Sequence, residues 1–420
     1  MNITVLPSNP HGKIKAIASK SMAHRLLICA AFADKPTRII CEETNRDINA
    51  TVSCLSSLGA DISYEYPSFY VSPIRSLQKN MTLDCGESGS TLRFLIPIVT
   101  ALGANACFNM HGRLPQRPLS PMREELEAHG ASFSAAGSNP LYCEGQLEGL
   151  DFSIEANVSS QFISGILFAL AIWGKGGTLR LLGKIESAPY IDMTVDALKL
   201  FGADVSFCDG KFTVSPTDAL ISPDEINVEG DWSNAAFPLC MGVLGQSAVE
   251  VMGLDLFSRQ GDREILTILR RFGAEITKKN GSVLAKGNAT LRGINIDATQ
   301  IPDLVPVIAT VAATAKGTTV ISGAERLRIK ESDRLATVRE MLCALGADIT
   351  ETDDGLIIKG VPRLHGGTVS SHNDHRIAMS AAVASAACDG EITVTDAEAT
   401  SKSYPLFWND IEKLSVVIKK

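Results

Sequence analysis

Apolar residues at helical spacing run up to a glycine at five places along the chain. Each place has the pattern Leu-x-x-x-Gly-Ala, in which the glycine suits the positive φ of a helix C-terminal cap. The glycines lie 71 to 73 residues apart, at Gly59, Gly130, Gly202, Gly273 and Gly346. A degenerate sixth copy, Ile411 to Ser415, lacks the glycine. This period indicates six copies of one supersecondary unit.

The residues after each glycine alternate between polar and apolar, which is typical of a strand with one buried face. Each repeat also contains a second helix with almost no charge, such as 162–173 or 304–315. A helix that is apolar all round belongs in the centre of a domain. The six starts of these helices are Lys20-Ser21, Ser88-Gly89-Ser90-Thr91, Ser159-Ser160-Gln161, Asp231-Trp232-Ser233-Asn234, Ile301-Pro302-Asp303 and Asn373-Asp374-His375-Arg376.

The buried helix starts need partners for their free N–H groups. Small capping residues alone can supply these partners. A second interpretation uses the charged residues at the same ends, which are Lys20, Arg25, Arg93, Asp303 and Arg376. If the six ends point towards a common cleft, their dipoles and cations favour a multiply anionic ligand.

Six units of about 70 residues exceed what one hydrophobic core holds, so three plus three is the natural division. We therefore predict an α/β protein with mixed sheets around buried helices. One domain is expected over residues 18–227, and the other over residues 1–17 together with 228–420.

The densest run of charge is Arg328-Ile329-Lys330-Glu331-Ser332-Asp333-Arg334, which precedes an apolar helical pattern ending at Leu345. Ser332 or Asp333 is the expected N-cap. Cations at a helix N-terminus oppose its dipole, so two of them there suit an anion bound between them. A solvated loop with local ion pairs is the alternative.

Composition limits the possible functions. The 420 residues are 45% hydrophobic and carry a formal net charge of -8, which argues against a general binder of nucleic acid or anionic membranes. The ten cysteines form no C-x-x-C pair, so we expect reduced thiols. Neither a signal peptide nor a membrane-length apolar run is evident, and we expect a cytoplasmic protein without a membrane partner.

Several short motifs suit anion binding without specifying a ligand. Gly86 to Arg93 is a Gly/Ser-rich turn entering a helix, but it matches neither a Walker loop nor a dinucleotide fingerprint. Arg117 stands in a proline-rich loop that would hold it stiffly. The H-x-x-H spacing of His372 and His375 has no third ligand cluster, so no metal is expected. Lys402, considered alone, would be solvated.

Nine short motifs occur in a fixed order between residues 20 and 405. They are Lys20-Ser21-x-x-x-Arg25, Gly86-x-Ser88-Gly89-Ser90, Gln116-Arg117-Pro118, Ser159-Ser160-Gln161-Phe162, Ser187-Ala188-Pro189-Tyr190, Ile301-Pro302-Asp303, Lys330-Glu331-Ser332-Asp333-Arg334, Asn373-Asp374-His375-Arg376 and Ser401-Lys402-Ser403-Tyr404-Pro405. Together they resemble the 5-enolpyruvylshikimate-3-phosphate synthase family, the 3-phosphoshikimate 1-carboxyvinyltransferases of the shikimate pathway of aromatic amino-acid biosynthesis.

The resemblance implies two similar domains, each of three βαβαββ-type repeats in an inside-out α/β barrel, with the active site in the cleft between them. It implies transfer of the enolpyruvyl group of phosphoenolpyruvate to the 5-hydroxyl of shikimate 3-phosphate through a tetrahedral intermediate. Neither a cofactor nor a metal is implied, and a monomer without a nucleic-acid partner is expected.

The resemblance also implies roles for individual residues. Asp303 would be the general base, and Glu331, assisted by Lys20, the acid. The residues implied to bind shikimate 3-phosphate are Lys20, Ser21, Arg25, Ser159, Ser160, Gln161, Ser187, Asp303 and Lys330. Those implied to bind phosphoenolpyruvate are Lys20, Gly89, Arg117, Gln161, Arg334, Arg376 and Lys402.

The chain departs from the family pattern at three positions, Glu87, Phe94 and Arg326, which leaves the loop contacts and glyphosate sensitivity open. UDP-N-acetylglucosamine enolpyruvyl transferases share the architecture, but they have a cysteine before the Arg-Pro pair and Lys-Asn at the first helix. Here Lys20-Ser21 and a loop without cysteine disfavour that acceptor. A non-catalytic anion-binding scaffold would not need Asp303 and Glu331 beside the cations.

Overall fold

The chain folds into two compact units. The computed structural model describes residues 1–78, 80–288 and 290–419. One unit is Ala18–Val228, and the other combines Met1–Ile17 with Glu229–Lys420. We call them the 18–228 unit and the 229–420 unit. The boundary expected from the repeats, between residues 227 and 228, lies one residue from this division.

The part of the chain that the structure describes contains twelve α-helices and 24 strands. The helices are α1 Lys20–Ala31, α2 Arg46–Leu58, α3 Gly89–Ala101, α4 Met122–Ala128, α5 Ser160–Trp173, α6 Ala188–Leu200, α7 Trp232–Leu244, α8 Ile265–Phe272, α9 Val305–Ala312, α10 Arg334–Ala344, α11 His375–Ala384 and α12 Phe407–Lys413. Short 3₁₀ helices span Leu114–Gln116, Gly261–Glu264, Pro302–Leu304, Glu325–Ile329, Ser385–Ala387 and Ala397–Lys402.

The strands follow the same repeating order along the chain. They are β1 Ile3–Val5, β2 Gly12–Lys15, β3 Thr37–Ile40, β4 Asp61–Glu65, β5 Ser68–Ser72, β6 Asn80–Asp84, β7 Asn105–Asn109, β8 Ala131–Phe133, β9 Leu141–Gly145, β10 Asp151–Glu155, β11 Gly177–Leu182, β12 Val205–Cys208, β13 Lys211–Val214, β14 Glu225–Asn227, β15 Val249–Met252, β16 Glu275–Lys279, β17 Ser282–Lys286, β18 Asn295–Asp297, β19 Thr318–Ser322, β20 Asp348–Glu351, β21 Leu356–Lys359, β22 Gly367–Ser370, β23 Ile392–Thr395 and β24 Ile418–Lys419.

Every repeat builds one four-stranded mixed sheet. In the 18–228 unit the strand orders are β14-β3-β5-β4, β6-β7-β9-β8 and β10-β11-β13-β12. In the 229–420 unit they are β16-β17-β15-β2, β18-β19-β21-β20 and β22-β23-β1-β24. Each sheet has one parallel pair, such as β10 with β11, and two antiparallel pairs. The predicted α/β fold of βαβαββ repeats is confirmed.

The glycine period marks helix ends, as predicted. All five repeat glycines have positive φ, between 80° at Gly202 and 114° at Gly59. A Cβ in this region is strained, which explains why glycine recurs there. In the sixth copy Ser415 takes the equivalent conformation with a φ of 63°. The predicted strands follow each glycine as β4, β8, β12, β16 and β20.

The apolar helices lie in the core of their own unit, and the sheets cover them. α3 packs on α5 in one unit, while α7, α9 and α11 pack on one another in the other. β10 buries Phe152 and Ile154 and exposes Asp151, Ser153 and Glu155, so one face of its sheet meets the core. None of the helices among the described residues is long and apolar enough to cross a membrane.

Candidate functional site

Polar side chains gather at the starts of α9 and α10 in the 229–420 unit. The 3₁₀ turn Pro302–Leu304 presents Asp303 ahead of α9, and the start of α10 supplies Arg334. Asp333 caps α10 through a hydrogen bond from the Ala336 amide, as one of the two predicted N-caps. Lys330 and Glu331 lie in the extended turn before it. The structure thus brings Asp303, Lys330, Glu331 and Arg334 together.

Arg334 is the centre of this cluster. Its guanidinium donates to Asp303 Oδ1 at 2.8 Å, to Glu331 Oε2 at 2.7 Å and to Asp374 Oδ2 at 2.8 Å. Its side chain is only 1% exposed, and Asp374 is fully buried. Burial of a guanidinium costs free energy unless its N–H groups donate hydrogen bonds, and the three carboxylates accept these bonds. They raise the pKa of Arg334, although burial opposes its charge.

Asp303 is surrounded by three cations. Arg334 lies at 2.8 Å, the Arg376 guanidinium at 3.1 Å and the Lys330 ammonium at 3.8 Å. Burial alone would raise the pKa of Asp303, but Arg376, Lys330 and Arg334 together hold it well below the ordinary value. Asp303 is therefore ionised at neutral pH. Burial lowers the pKa of Lys330 to about 8, with Asp303 partly offsetting the effect.

The start of α11 supplies Arg376, and a neighbouring 3₁₀ helix adds one further cation, Lys402, to the same region. Asp374 caps α11 by accepting the Arg376 amide, and Arg376 Nη1 reaches the Asp303 carbonyl at 3.1 Å. Lys402 follows from the 3₁₀ helix Ala397–Lys402, and its ammonium donates to the Asn373 carbonyl at 2.5 Å. Lys402 is buried, whereas the sequence alone indicated a solvated lysine.

In the 18–228 unit, α1 carries three of the predicted residues. Lys20 pairs with Asp47 of α2 at 2.7 Å. Arg25 is buried and donates to the Ser21 carbonyl, Thr194 Oγ1 and the Tyr190 carbonyl at 2.6, 2.9 and 2.7 Å. Burial lowers the pKa of Arg25 to about 10, which still leaves it charged at neutral pH.

A second group in this unit surrounds Gly89, the first residue of α3. A Cβ built on Gly89 would lie 2.9 Å from Arg117 Nη1 and 3.0 Å from Arg93 Nη1. Arg93 donates to Gln161 Oε1 at 2.7 Å, and Gln161 Nε2 donates to Ser90 Oγ at 2.8 Å. Only a glycine lets the two guanidinium groups approach the helix start this closely. The structure thus joins Gly89, Arg117 and Gln161.

The three predicted serines other than Ser21 lie at the starts of α5 and α6. Ser159 caps α5 by accepting the Gln161 amide at 3.3 Å, and the buried Ser160 is the first residue of that helix. Ser187 precedes α6 with a φ of 52°, a conformation that non-glycine residues seldom adopt. Its side chain does not cap α6. Strain of this kind often accompanies a functional position.

The structure shows what surrounds the three residues that depart from the family pattern. Phe94 is buried in α3, where its ring packs edge-on against Phe168 and lies 5.2 Å from the Arg25 guanidinium. Arg326 is also buried and donates to the Thr299 carbonyl at 2.8 Å. A Cβ on Gly112 would collide with the Glu87 carboxylate, so Glu87 lies over that turn.

Sequence reasoning missed three polar residues that hold the predicted ones. Arg93 was noted as a helix-end cation but was given no role, although it bonds Gln161 beside Gly89. Asp374 was named only within the helix start 373–376, yet it caps α11 and also accepts hydrogen bonds from Arg334. Asp47 pairs with Lys20 across two helices, and no sequence pattern links these two residues. Among the described residues no group of three His, Cys, Asp or Glu could hold a metal ion.

Comparison with known proteins gives one consistent result. Residues 6–411 match the family described as EPSP synthase (3-phosphoshikimate 1-carboxyvinyltransferase). The 3-phosphoshikimate 1-carboxyvinyltransferase of Clostridium perfringens SM101 is 40% identical, covering 100% of this chain and 99% of that protein. The Clostridioides difficile 630 protein of the same name is 38% identical, covering 98% and 97%.

Solved structures agree with the sequence comparison. The EPSP synthase of Acinetobacter baumannii superposes with a TM-score of 0.82 at 26% identity, and the match covers 100% of both chains. A second structure of the same protein gives a TM-score of 0.82 at 25% identity. The resemblance inferred from the nine motifs is confirmed.

Proposed function

The chain belongs to the EPSP synthase family, and from that membership we propose how its residues carry out the family's reaction. The enzyme transfers the enolpyruvyl group of phosphoenolpyruvate to the 5-hydroxyl of shikimate 3-phosphate and releases phosphate. This is a step of the shikimate pathway, which leads to chorismate and the aromatic amino acids.

The observation that carries the assignment of roles is the position of Asp303. An ionised carboxylate lies within 4 Å of Arg334, Arg376 and Lys330. A base among cations is what the reaction needs, because the donor brings a carboxylate and a phosphate to the place where a hydroxyl must lose its proton.

In the addition step the 5-hydroxyl oxygen forms a bond to C2 of phosphoenolpyruvate. Its proton passes to Asp303, and the electron pair of the C2–C3 double bond takes a proton at C3. Glu331, in its protonated form and assisted by Lys20, supplies that proton. The product is a tetrahedral intermediate that carries the phosphate on C2.

In the elimination step Glu331, again assisted by Lys20, takes a proton back from C3. The C2–C3 double bond forms again, the bond from C2 to the phosphate oxygen breaks, and phosphate leaves with the proton held by Asp303. The cations stabilise the charge on the leaving oxygen.

The low pKa of Asp303 fits this sequence of events. When the donor's anionic groups take up Arg334 and Arg376, these cations stabilise the Asp303 carboxylate less. The pKa of Asp303 then rises, and the group becomes a stronger base only once substrate is bound.

Binding is proposed to use both units. Shikimate 3-phosphate would contact Lys20, Ser21, Arg25, Ser159, Ser160, Gln161 and Ser187 of the 18–228 unit, with Asp303 and Lys330 of the other. Phosphoenolpyruvate would contact Lys20, Gly89, Arg117 and Gln161, with Arg334, Arg376 and Lys402. Since each ligand would contact residues of both units, we propose an active site between the units.

Phosphate release from phosphoenolpyruvate tests the activity directly. The purified protein is incubated with the donor and either shikimate 3-phosphate or UDP-N-acetylglucosamine. We expect release only with shikimate 3-phosphate. Phosphate release only with UDP-N-acetylglucosamine would assign that sugar nucleotide as the acceptor. No phosphate release with either acceptor would favour a non-catalytic binding scaffold.

Two substitutions test the catalytic roles. Asp303→Asn and Glu331→Gln keep the shape of each side chain but remove its proton-transfer capacity. We expect each to lower kcat by about 10²- to 10⁴-fold. Asp348→Asn is the matched control, because its carboxylate is 56% exposed in an ion pair with Lys359 on β20 and β21. Full turnover by Asp303→Asn would refute its role as the base.

We also propose that the enzyme is a cytoplasmic monomer. Each of the two units has its own buried core within a single chain. Light scattering of the eluting peak in size-exclusion chromatography measures the mass, which should equal that of one chain. Twice that mass would show a dimer instead.

A further inference from the structure

A line of hydrogen bonds runs through the core of the 18–228 unit and joins three helices. His24 Nδ1 of α1 lies 2.7 Å from Thr51 Oγ1 of α2. Thr51 Oγ1 lies 2.6 Å from Thr91 Oγ1 of α3, which in turn lies 2.8 Å from Ser88 Oγ. All four residues are buried, with exposures of 0 or 1%. We call these residues the His24 line.

The direction of every bond in the His24 line follows from its last one. Thr91 donates its hydroxyl proton to Ser88. A hydroxyl has one proton to give, so Thr91 can only accept in its bond with Thr51. Thr51 therefore donates to Thr91 and must accept from His24. His24 is then protonated at Nδ1, and its Nε2 is an acceptor.

The surroundings keep His24 neutral, which leaves Nε2 without a proton. Burial lowers its pKa well below the ordinary value, and the nearby charges of Lys20 and Arg25 lower it further. A protonated ring would place a third cation beside these two on α1. The neutral Nδ1–H tautomer can supply the first proton of the line without that repulsion.

The far end of the line holds the turn that leads to Gly89. Ser88 is the N-cap of α3, and its hydroxyl oxygen accepts both the Thr91 amide at 3.3 Å and the Thr91 hydroxyl. Both lone pairs of that oxygen are thereby used. Gly89 follows directly, with Arg117 and Arg93 against it.

Thr91 differs in this respect from the other buried threonine of its helix. The Thr100 hydroxyl donates back to the Ile96 carbonyl one turn earlier, at 3.1 Å, which is the common choice of a helical threonine. Thr91 lies in the first turn of α3, where the residue one turn earlier precedes the helix, and its hydroxyl donates to the N-cap Ser88 instead.

We propose that His24 is a positioning residue, whose Nδ1–H orients Thr51, Thr91 and Ser88 in turn and so holds Gly89 in place for the donor substrate. The inference rests on the proposed function, in which Gly89 and Arg117 bind phosphoenolpyruvate. His24 itself touches neither substrate in this proposal. It links the helix that carries Lys20 and Arg25 to the turn that carries Gly89.

Two isosteric substitutions separate the hydrogen bond from packing. His24→Asn and His24→Leu leave side chains of equal size, but only asparagine has an N–H at the position of Nδ1. Both lose the ring, and urea unfolding of each variant gives the free energy of unfolding against which its KM is compared. We expect His24→Leu to raise KM for phosphoenolpyruvate about three- to tenfold, which is the effect of losing one neutral hydrogen bond. In His24→Asn most of this increase should be absent.

The acceptor substrate is the internal control in this comparison. KM for shikimate 3-phosphate should change less than twofold in either variant. Equal KM values for phosphoenolpyruvate in the two variants would overturn the proposal. Parallel changes in both KM values and kcat would also overturn it, since they would reflect a general loss of packing.

Nitrogen-15 NMR of histidine-labelled protein tests the line without turnover. The His24 resonances, assigned by their loss in His24→Asn, should show a protonated Nδ1 and a bare Nε2. Thr91→Val removes the hydroxyl that sets the direction, and we expect the population of the other tautomer to rise. A protonated Nε2 in the wild type would overturn the inference even if the enzyme is active. Failure of the wild type to release phosphate would bear on the proposed function alone.

Discussion

At the scale of single residues, the contacts in the proposed site depend on the size or the charge of one side chain. Gly89 shows this most directly, because its missing side chain makes room for Arg117 and Arg93. Asp303 shows it through charge, because its three cations outweigh the effect of burial on its pKa. Both effects concern anion binding more than folding.

Gly89→Ala should weaken donor binding without unfolding the protein. The added Cβ would lie 2.9 Å from Arg117 Nη1, and a guanidinium at the end of a flexible side chain can move aside. We expect KM for phosphoenolpyruvate to rise about tenfold, or about 1.4 kcal/mol. Steady-state kinetics with each substrate varied in turn measures this. An unchanged KM for phosphoenolpyruvate would show that Arg117 does not bind the donor.

Asp262 should make folding stability depend on pH. Burial, followed by the charge of Asp303, raises its folded pKa from 3.8 to about 6. The unfolded state releases this proton first as pH rises, so the stabilisation present at pH 4 is lost by about pH 6.5. The loss is about 2–3 kcal/mol.

Urea unfolding of the wild type and of Asp262→Asn across this range measures the effect. Asparagine keeps an acceptor for the Ser233 hydroxyl but does not titrate. The wild type should lose stability relative to the variant as pH rises from 4 to 6.5. Parallel curves would show that Asp262 keeps an ordinary pKa.

At the scale of elements, the starts and ends of helices carry most of the local information. Five of the six buried-helix regions begin with a side-chain cap, from Ser19, Ser88, Ser159, Asp231 and Asp374. The remaining helix, α9, begins with the 3₁₀ turn that holds Asp303 and has no side-chain cap. In that turn the Asp303 carboxylate contacts Arg334, Arg376 and Lys330.

Asp333→Ala should destabilise the start of α10. Asp333 caps the helix through the Ala336 amide and also lies 3.2 Å from Arg328 in an ion pair. Loss of the cap should lower the free energy of unfolding by about 1 kcal/mol, while Asp333→Asn should lose less because asparagine caps well. Urea unfolding measures both. Equal losses would assign the stabilisation to the ion pair with Arg328.

At the scale of the whole molecule, the cations of the proposed site are divided between two units. Lys20, Arg25 and Arg117 belong to one, and Lys330, Arg334, Arg376 and Lys402 to the other. The cations of each set lie at or beside helix starts, and several of them are paired with carboxylates. Substrate anions that bind cations of both sets would favour a state in which the two units lie closer together.

We expect phosphoenolpyruvate and shikimate 3-phosphate together to reduce the radius of gyration. Small-angle scattering of the protein alone and with both ligands measures this change. Arg334→Ala, which removes one cation from the 229–420 unit, should reduce the effect. An unchanged radius of gyration in the wild type with both ligands bound would contradict closure.

Local sequence determined the repeats and much of the site's membership. The period of Gly59, Gly130 and their successors requires only that a helix end at a residue able to take positive φ. The caps and the strands that follow depend equally on near neighbours, so both could be predicted. The nine motifs identified the family for the same reason, because each is a short run of adjacent residues.

Only the tertiary structure decided which of these residues are partners. Lys402 looks solvated in sequence, yet it is buried against the Asn373 carbonyl. Asp374 meets Arg334 across 40 residues, and His24 reaches Ser88 through two threonines on different helices. A pattern along the chain determines periods, caps and turns, because these depend on neighbours in sequence. The pairing of charges and the direction of a buried hydrogen-bond line depend on packing, which brings distant residues within 3 Å.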